Sequence, residues 1–451
     1  MNQPLPFSFL RRMQEQLPED EFRPFTEELG KPPLTSVRLN PRKPGWNDGE
    51  YETVPWCEHG RYFTEKPVFT LDPLFHAGAY YPQEASSMVL WHILETIAAE
   101  SGRDLNILDL CGAPGGKATL IASFLDGEGV LVTNEVVRSR ARILRENIIK
   151  WGAPNVVVSQ SDPSVFSTLP GLFDVMVVDA PCSGEGMFRK GDTARREWSE
   201  ENAAHCAWRQ RRILEDAWEA LNKGGWLVYS TCTFNPAENE ENLEWLIREH
   251  GAEVITPEVP DEWGIEKIPA GGGSALAFFP HKVKGEGFFI ALLRKNEKAQ
   301  SSKFPKMPKN RAKVPEEARR LTDLPDRFSF LEENGQWTAF PREHERMLLL
   351  LQKQLNILQY GILLGTMGRK EMVPDHALIM SWIYNNYFPV FEMSKNEALH
   401  YQKGEVPAVP SGMPGGFIVV TFRKIPLGFL KNVGPRFNNL YPKEWRIRME
   451  I

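Results

Sequence analysis

Between residues 82 and 250, the hydrophobic positions follow two different periods in turn, and this alternation predicts an α/β fold. Short apolar runs are typical of buried strands, whereas apolar residues spaced three or four apart indicate amphipathic helices. The predicted strands are 107–111, 130–135, 156–159, 175–179 and 226–231, and the predicted helices lie near 88–97, 117–124, 138–151, 199–221 and 239–250. Because strands and helices alternate, we expect a doubly wound, mostly parallel sheet that is covered on both faces.

The regions that flank this block have less regular patterns. Residues 1–80 are proline-rich and favour a mixed α+β segment, and a late apolar run at 288–293 predicts an antiparallel strand at the sheet edge. Residues 296–320 are rich in lysine and proline without periodicity, which is typical of a linker. Beyond them, residues 321–451 predict a separate small α+β module. Further predicted elements are strands at 37–40 and 417–421 and a helix at 343–358.

Charge is distributed unevenly along the chain. The 451 residues carry a formal net charge of −6, yet residues 301–451 hold 22 Lys and Arg against 15 Asp and Glu. A basic C-terminal third is expected if this region attracts nucleic-acid phosphates, and it is also expected if the region is only a solvated tail. Charge alone favours neither interpretation. The first residues lack the apolar core of a secretory signal, and no run reaches the roughly 20 apolar residues of a membrane span. We therefore expect a cytoplasmic protein with no membrane partner.

The strongest local signal is a glycine-rich loop between the first strand of the block and the next helix. It reads Asp109-Leu-Cys-Gly-Ala-Pro-Gly-Gly-Lys117, and such a turn lets backbone approach a ligand at the carboxyl edge of a parallel sheet. A Walker A loop would need Gly in place of Cys111 and Ser or Thr in place of Ala118, and a dinucleotide loop has a different glycine spacing. The remaining interpretation is the S-adenosylmethionine site of a class I methyltransferase, formed by Cys111, Gly112, Ala113, Pro114, Gly115, Gly116 and Lys117.

Two acidic residues follow the next two predicted strands. Glu135 ends the second strand, where a carboxylate can accept hydrogen bonds from both hydroxyls of a ribose, and Asp162 follows the third, at the expected adenine edge. Either residue alone is as readily explained by a helix N-cap or a solvated turn. Together with the glycine-rich loop they stand at the ends of three successive predicted strands, which favours a cofactor role for both.

The five cysteines lie far apart, with no C-x-x-C pair, so neither a metal site nor a disulfide framework is predicted. They are Cys57, Cys111, Cys182, Cys206 and Cys232. Isolated cysteines are usually small buried hydrophobes. Cys182 and Cys232 differ because each follows the carboxyl end of a predicted strand, in Asp179-Ala-Pro-Cys-Ser-Gly and Ser230-Thr-Cys-Thr-Phe. Both are expected to face the crevice that holds the methyl group of the cofactor.

The placement of these two cysteines predicts methylation of carbon 5 of cytosine. Carbon 5 is too weak a nucleophile to take a methyl group directly, but a thiolate that adds to carbon 6 converts the ring into an enamine. An acid near ring nitrogen 3 must stabilise the adduct, and Asp179 is placed for that role. A base then removes the proton from carbon 5 so that the thiolate can leave.

At these residues the sequence resembles the Sun-domain family of RNA cytosine-5 methyltransferases, which includes enzymes for small-subunit ribosomal RNA. The resemblance runs from about residue 37 to residue 295. Its motifs are Tyr81-Pro-Gln-Glu-Ala-Ser, the loop at 109–117, the segment 179–184, Ser230-Thr-Cys, and Pro280-His followed by Gly287-Phe-Phe. Residues 321–451 more loosely resemble the PUA-like RNA-binding tail of bacterial ribosomal enzymes in this family.

The resemblance implies roles for the two cysteines and a class of partner. In that family the Thr-Cys cysteine is the nucleophile and the Pro-Cys cysteine assists release, which implies these roles for Cys232 and Cys182. Related DNA enzymes use the Pro-Cys cysteine instead. The implied partner is RNA, either free or within an assembling small subunit. Ribosomal RNA is the first candidate and transfer RNA is the second. The rival interpretation is a non-catalytic RNA assembly factor that retains cofactor binding.

The resemblance also implies how the chain is divided. We expect an RNA-facing segment over 1–80, an S-adenosylmethionine-dependent methyltransferase domain over 81–295, the basic linker over 296–320, and a PUA-like RNA-binding domain over 321–451. We expect this protein to act as a monomer and to need no metal.

Overall fold

The structure is a computed structural model that describes residues 4–46, 51–297, 300–308, 312–369 and 371–451. Two parts of the predicted linker, residues 298–299 and 309–311, lie outside the described residues. Within the described ranges, no helix has the length and apolar character that are needed to cross a lipid bilayer.

The N-terminal region packs two helices and a small antiparallel sheet against the rest of the chain. Its elements are α1 (Phe7–Gln16), α2 (Glu19–Leu29), β1 (Thr35–Leu39), β2 (Thr53–Val54), β3 (Cys57–Phe63), α3 (Pro73–His76) and β4 (Tyr80–Pro82). The four strands pair in the order β2-β3-β1-β4, and β1 overlaps the strand predicted at 37–40. Phe9 of α1 and Phe25 of α2 are fully buried in the same hydrophobic core as the central region.

The central region shows the predicted alternation of strands and helices. Its elements are α4 (Leu90–Ser101), β5 (Asn106–Asp109), α5 (Gly116–Leu125), β6 (Val130–Asn134), α6 (Arg138–Trp151), β7 (Val156–Ser159), β8 (Phe173–Asp179), α7 (Asp192–Glu197), α8 (Glu200–Ala217), β9 (Leu221–Thr231), α9 (Glu240–His250), β10 (Glu253–Ile255), β11 (Glu266–Ala270), β12 (Gly273–Phe278) and β13 (Phe288–Arg294). The bounds of α6 and β7 are those predicted, and β9 begins earlier than predicted because its start pairs with β8 beyond a register shift.

The C-terminal region consists of short elements. They are α10 (Glu316–Arg320), β14 (Phe328–Glu333), β15 (Gln336–Pro341), α11 (Glu345–Gln354), β16 (Ile357–Tyr360), β17 (Ile362–Met367), β18 (Met372–Pro374), α12 (His376–Met380), β19 (Val390–Glu392), α13 (Lys395–Lys403), β20 (Gly416–Phe422), β21 (Ile425–Asn432) and β22 (Phe437–Asn439). Two four-stranded sheets form here, in the orders β14-β15-β17-β18 and β19-β20-β21-β22.

A ten-stranded sheet forms the frame of the molecule. Its order is β11-β12-β13-β9-β8-β5-β6-β7-β16, with β10 paired to β13. The strands β9, β8, β5, β6 and β7 are parallel to one another. Along β8, Met176 and Val178 belong to one hydrophobic core while Val175 and Val177 belong to another. Apolar cores therefore cover both faces of the sheet, which confirms the predicted doubly wound α/β fold.

The strand predicted at 288–293 is antiparallel, as expected, but it does not lie at the edge of the sheet. β13 pairs with β9 on one side and with β12 on the other. The hairpin formed by β11 and β12 extends the sheet further. This hairpin was not among the predicted elements, so the predicted edge was wrong.

The C-terminal region differs from the expected separate module because part of it completes the central domain. The helix predicted at 343–358 ends at Gln354, and the chain then forms β16, which pairs antiparallel with β7. Leu348 and Leu351 of α11 are fully buried in the central core. The physical reason is that the edge of β7 would otherwise expose unpaired backbone groups, which β16 pairs, while the central core buries the apolar face of α11.

Arg38 of β1 joins the N-terminal sheet to the central domain. Its side chain is completely buried, and Nε donates to Gln83 Oε1 at 2.9 Å. Nη2 donates to the Gly116 carbonyl at 3.2 Å and to Thr119 Oγ1 at 2.6 Å. The guanidinium carbon lies 4.6 Å from the centre of the Trp151 ring, at cation–π distance. Burial lowers the pKa of Arg38 to about 10, so the side chain remains charged at pH 7.

Replacing Arg38 with Met is expected to lower the free energy of unfolding by at least about 2 kcal/mol, because it leaves buried acceptors on Gln83 and Thr119 without their donor. The measurement is equilibrium unfolding in urea. Arg42→Met is the matched control, since it removes an ion pair with Asp126 whose side chains are 49% and 48% exposed and which is worth less than about 1 kcal/mol. Equal losses in the two variants would contradict the structural role of Arg38.

Candidate active site

A cavity of about 770 Å³ opens at the carboxyl ends of the parallel strands, where ligands bind in open α/β sheets. The end of β4 and the residues after it close one side of this cavity. Most of the residues predicted for the cofactor and the chemistry line it. These are Cys111, Gly112, Ala113, Pro114, Gly116, Lys117, Glu135, Asp179, Cys182 and Cys232, whereas Gly115 and Asp162 lie outside the lining.

The glycine-rich loop lies tightly against the end of β6. A Cβ atom on Gly112 would be 2.0 Å from Thr133 Oγ1 and 2.8 Å from Asp109 Oδ2, so no side chain fits there. The Gly112 N–H donates to the Asn134 carbonyl at 2.8 Å. Gly115 has a φ of +123°, a conformation that favours glycine. These constraints bring the loop backbone to the cavity wall, where a ligand can approach it without meeting side chains.

The two acids that were predicted for the cofactor are placed differently. Glu135 is buried at the cavity wall, where Oε1 accepts from the Val137 N–H at 2.8 Å and Oε2 lies 3.5 Å from Arg140. Asp162 is exposed and caps a short helical turn, because its Oδ1 accepts from the N–H and the hydroxyl of Ser164. These hydrogen bonds lower the pKa of Asp162. Only Oδ2 of Asp162 is left for a ligand.

Lys117 and Asp179 form an ion pair inside the cavity, with 2.8 Å between Nζ and Oδ2. The other carboxylate oxygen of Asp179 accepts from the Ser230 hydroxyl at 3.0 Å. The register of β8 and β9 sets these residues side by side, since Asp179 pairs with Ser230. Both oxygens of the Asp179 carboxylate therefore have partners that fix its orientation.

The sulfur atoms of Cys182 and Cys232 lie 2.9 Å apart, so the structure brings the two predicted cysteines together. The backbone N–H of Cys232 also donates to the Cys182 sulfur at 3.3 Å. The contact with Cys232, together with burial, raises the pKa of the Cys182 thiol well above its usual value. Cys182 therefore keeps its proton at neutral pH and can donate it in a hydrogen bond to Cys232.

A buried polar network holds the turn that carries Cys182. Glu238 accepts from the Ser183 N–H at 2.8 Å and from its hydroxyl at 2.5 Å. Gln210 of α8 donates to Glu238 at 3.1 Å and to the Pro181 carbonyl at 3.0 Å. Burial raises the pKa of Glu238. Because these side chains are completely buried and bonded to one another, the turn has little freedom to move.

The sequence analysis did not predict Glu238 or Gln210 as part of the site. Gln210 carried a usable signal, since it is the polar residue on the apolar face of the helix predicted at 199–221. Glu238 carried none, because it stands in an acidic run that is otherwise typical of a solvated helix start.

The other cysteines are not paired with a second thiol. Cys57 and Cys206 are buried and Cys111 lines the cavity, and all of them are free. Burial raises the pKa of Cys111 above its usual range and that of Cys206 to about 11. In the part of the chain that the structure describes, no group of three or more His, Cys, Asp or Glu is arranged to hold a metal ion.

Charges around the cavity are separated by depth. The lining residues that are both charged and exposed are the cations Arg140, Lys190 and Arg209, whereas Glu135 and Glu286 are buried. The sequence analysis did not predict these rim cations. A cationic rim attracts a polyanion such as RNA, and the paired thiols inside it can form a covalent bond to a base.

Comparison with known proteins covers nearly the whole chain. The family described as 16S rRNA methyltransferase RsmB/F matches residues 96–294. The N-terminal domain of 16S rRNA methyltransferase RsmF matches residues 5–85, and the methyltransferase RsmF PUA domain matches residues 388–447. Ribosomal RNA small subunit methyltransferase F of Erwinia tasmaniensis is 31% identical over 470 residues, which cover 97% of this chain and 96% of the relative.

Solved structures share the central fold. NSun6 from Pyrococcus horikoshii, in its structure with SFG, has a TM-score of 0.54 at 22% identity and covers 65% of this chain and 98% of its own. A methyltransferase homolog protein from Pyrococcus horikoshii has a TM-score of 0.51 at 29% identity and covers 62% of this chain and 92% of its own. The family models and the relative that matches almost from end to end show that the chain belongs to the RsmB/F family of 16S rRNA methyltransferases, which use S-adenosylmethionine.

Proposed function

We propose that this protein transfers a methyl group from S-adenosylmethionine to carbon 5 of a cytosine in small-subunit ribosomal RNA, through a covalent bond between Cys232 and carbon 6. The observation that carries this proposal is the 2.9 Å contact between Cys182 and Cys232 in the cavity that also contains the glycine-rich loop. The names of the relatives support ribosomal RNA as the substrate.

The cavity residues fit S-adenosylmethionine. A volume of about 770 Å³ suits a ligand of this size, and the loop at 111–117 presents backbone where Gly112 has no room for a side chain. We assign the ribose hydroxyls to the Glu135 carboxylate and the adenine edge to Asp162, through its Oδ2. When bound, the cofactor supplies the electrophilic methyl group.

Cys232 begins the reaction by adding to carbon 6 of the cytosine. Its thiolate forms the carbon–sulfur bond, ring nitrogen 3 takes up the proton that the Cys232 thiol has given up, and the Asp179 carboxylate accepts a hydrogen bond from the resulting N–H. The ring is then an enamine, and its carbon 5 can bond to the methyl group. Lys117 and Ser230 hold Asp179 in place for this contact.

Cys182 acts after the methyl group has been transferred. Once the Cys232 sulfur is bonded to carbon 6, it is no longer an anion and is a poor acceptor of a hydrogen bond. The contact that raises the pKa of the Cys182 thiol is therefore weakened. Cys182 then loses its proton to solvent, and its thiolate takes the proton from carbon 5. The electrons of that C–H bond restore the double bond between carbons 5 and 6, the carbon–sulfur bond breaks, and the departing Cys232 thiolate takes back the proton from ring nitrogen 3.

The terminal regions are assigned to RNA binding. Residues 388–447 match a PUA domain, and residues 301–451 carry 22 Lys and Arg against 15 Asp and Glu, which favours contact with phosphates. We divide the chain into an RNA-facing segment over 1–80, the methyltransferase domain over 81–295, which α11 and β16 complete, a linker, and an RNA-binding region formed by the rest of 321–451. We further propose that the protein acts as a monomer.

Ribosomal RNA is tested as substrate by incubating the full chain and labelled S-adenosylmethionine with three RNAs. These are protein-free 16S ribosomal RNA, intact small subunits, and total transfer RNA. We expect 5-methylcytosine to form at one position of the ribosomal RNA, mapped by bisulfite sequencing. Methylation of transfer RNA alone would identify the other substrate class, and cofactor binding without methylation of any RNA would favour a non-catalytic assembly factor.

Glu135→Ala is expected to weaken S-adenosylmethionine binding at least tenfold, because it removes hydrogen bonds to a charged group that are worth about 1.5–3 kcal/mol each. Isothermal titration calorimetry measures the affinity, and circular dichroism checks that the fold survives. Glu249→Ala removes an exposed carboxylate of α9 and serves as the control. Affinity equal to that of the control would place the ribose elsewhere.

The two cysteines are expected to give opposite phenotypes. Cys232→Ser should abolish both methyl transfer and covalent attachment to RNA, because an alcohol is far less ionised than a thiol at neutral pH. Cys182→Ala should allow attack and transfer but slow the release, so a methylated RNA–protein complex accumulates and survives denaturing electrophoresis. Cys206→Ala, a buried thiol outside the pair, is the control. If Cys182→Ala gives no adduct and a Cys232 variant traps one, the two roles are reversed.

A further inference from the structure

One exposed face of α8 combines an aromatic ring with cationic side chains. His205, Trp208, Arg209 and Arg212 are all exposed, and their spacing of i, i+3, i+4 and i+7 places them on one face of the helix. We call these four residues the Trp208 face. The opposite face of α8, which includes Ala203, Ala207, Gln210 and Leu214, is buried.

Trp208 is unusual within this chain. All 13 tryptophans lie in the described residues, and Trp208 is the exposed one, at 65% of its full surface. Such a residue contributes little burial to its own fold, and tryptophan is enriched at interaction surfaces, where one part of the ring is apolar and its N–H can find a partner. The ring is therefore available to a partner.

The Trp208 face begins at the rim of the active-site cavity. Arg209, which follows Trp208, lines that cavity together with Ile213. The helix α8 also packs against the short helical turn Pro163–Thr168, which follows β7. A chain bound along this face would thus run past the opening that leads to Cys232.

We infer that the Trp208 face binds the single-stranded RNA beside the target cytosine, with the Trp208 ring stacking on a neighbouring base. This inference rests on the proposed methylation of RNA. A cytosine that leaves its stack to reach Cys232 exposes the faces of its neighbours, and an aromatic side chain can replace the lost stacking. Charge complementarity supports RNA as the occupant, because Arg209 and the rim cation Lys190 would contact phosphates, whereas Arg212 lies 3.6 Å from the Asp216 carboxylate.

Binding to two oligonucleotide probes separates stacking from charge. The probes are a 12-nucleotide oligocytidine and an abasic chain of the same length, measured by fluorescence anisotropy with the full-length protein. Trp208→Ala should weaken oligocytidine binding about fivefold or more, as expected for the loss of one stacked base, and should leave the abasic chain unaffected. Trp208→Phe keeps a ring and should retain most of the affinity.

Arg209→Ala is the matched variant for charge. It should weaken binding to both probes by the same factor. The slope of log affinity against log salt concentration should become shallower by about one, as expected for the loss of one phosphate contact. On 16S ribosomal RNA, Trp208→Ala should raise KM more than it lowers kcat, while its affinity for S-adenosylmethionine stays unchanged. A structural role for Trp208 would instead weaken both probes and the cofactor together.

Three results would overturn the inference. The first is equal affinity of wild type and Trp208→Ala for oligocytidine, and the second is equal loss on both probes. The third is a wild-type dimer that dissociates in Trp208→Ala, which would make this face a contact between two copies. The proposed function fails separately: if wild type methylates no RNA but Trp208 still governs oligocytidine binding, the binding face stands without the reaction.

Discussion

The arrangement of the whole site depends on a buried cation that neutral groups hold in place. Arg38 places a charged guanidinium in the interior, where Nε donates to the Gln83 side chain and Nη2 donates to the Gly116 carbonyl and the Thr119 hydroxyl. The Trp151 ring covers the guanidinium at 4.6 Å. Since a buried charge is costly unless its donors are bonded, this contact forms only when the N-terminal sheet and the start of α5 are both in register. The N-terminal region therefore forms part of the cavity wall.

Parallel strands then decide which side chains meet. The register of β8 and β9 sets Asp179 beside Ser230, so the loops that follow each strand must leave the sheet at the same level. Cys182 and Cys232 lie in those loops, which explains a sulfur contact between residues 50 positions apart. The glycine-rich loop follows β5 at the same edge. The cofactor loop and the two thiols therefore share one cavity as a direct consequence of the sheet.

The sequence predicted features that depend on local pattern and missed those that depend on distant partners. The bounds of α6, the fold class and the approach of Cys182 to Cys232 follow from periodicity and from the rule that parallel strands end together. The bond between Glu238 and Ser183 joins residues 55 positions apart, and nothing in either segment indicates it. Likewise, the local pattern predicts that the start of β16 is the end of a helix. Only its pairing with the edge of β7 makes this segment a strand.

The same tryptophan that covers Arg38 also ties the C-terminal region to the active site. The Trp151 carbonyl accepts from Trp382 Nε1 at 2.8 Å, and the preceding residue, Lys150, lies 4.8 Å from the ring of Trp445. Because α6 ends at this point, the N-terminal sheet, the central domain and the C-terminal region all meet beside one residue. On the proposed function, an RNA held by the C-terminal region is at a set distance from Cys232. A cytosine would then be selected by its position relative to that anchor as well as by the bases around it.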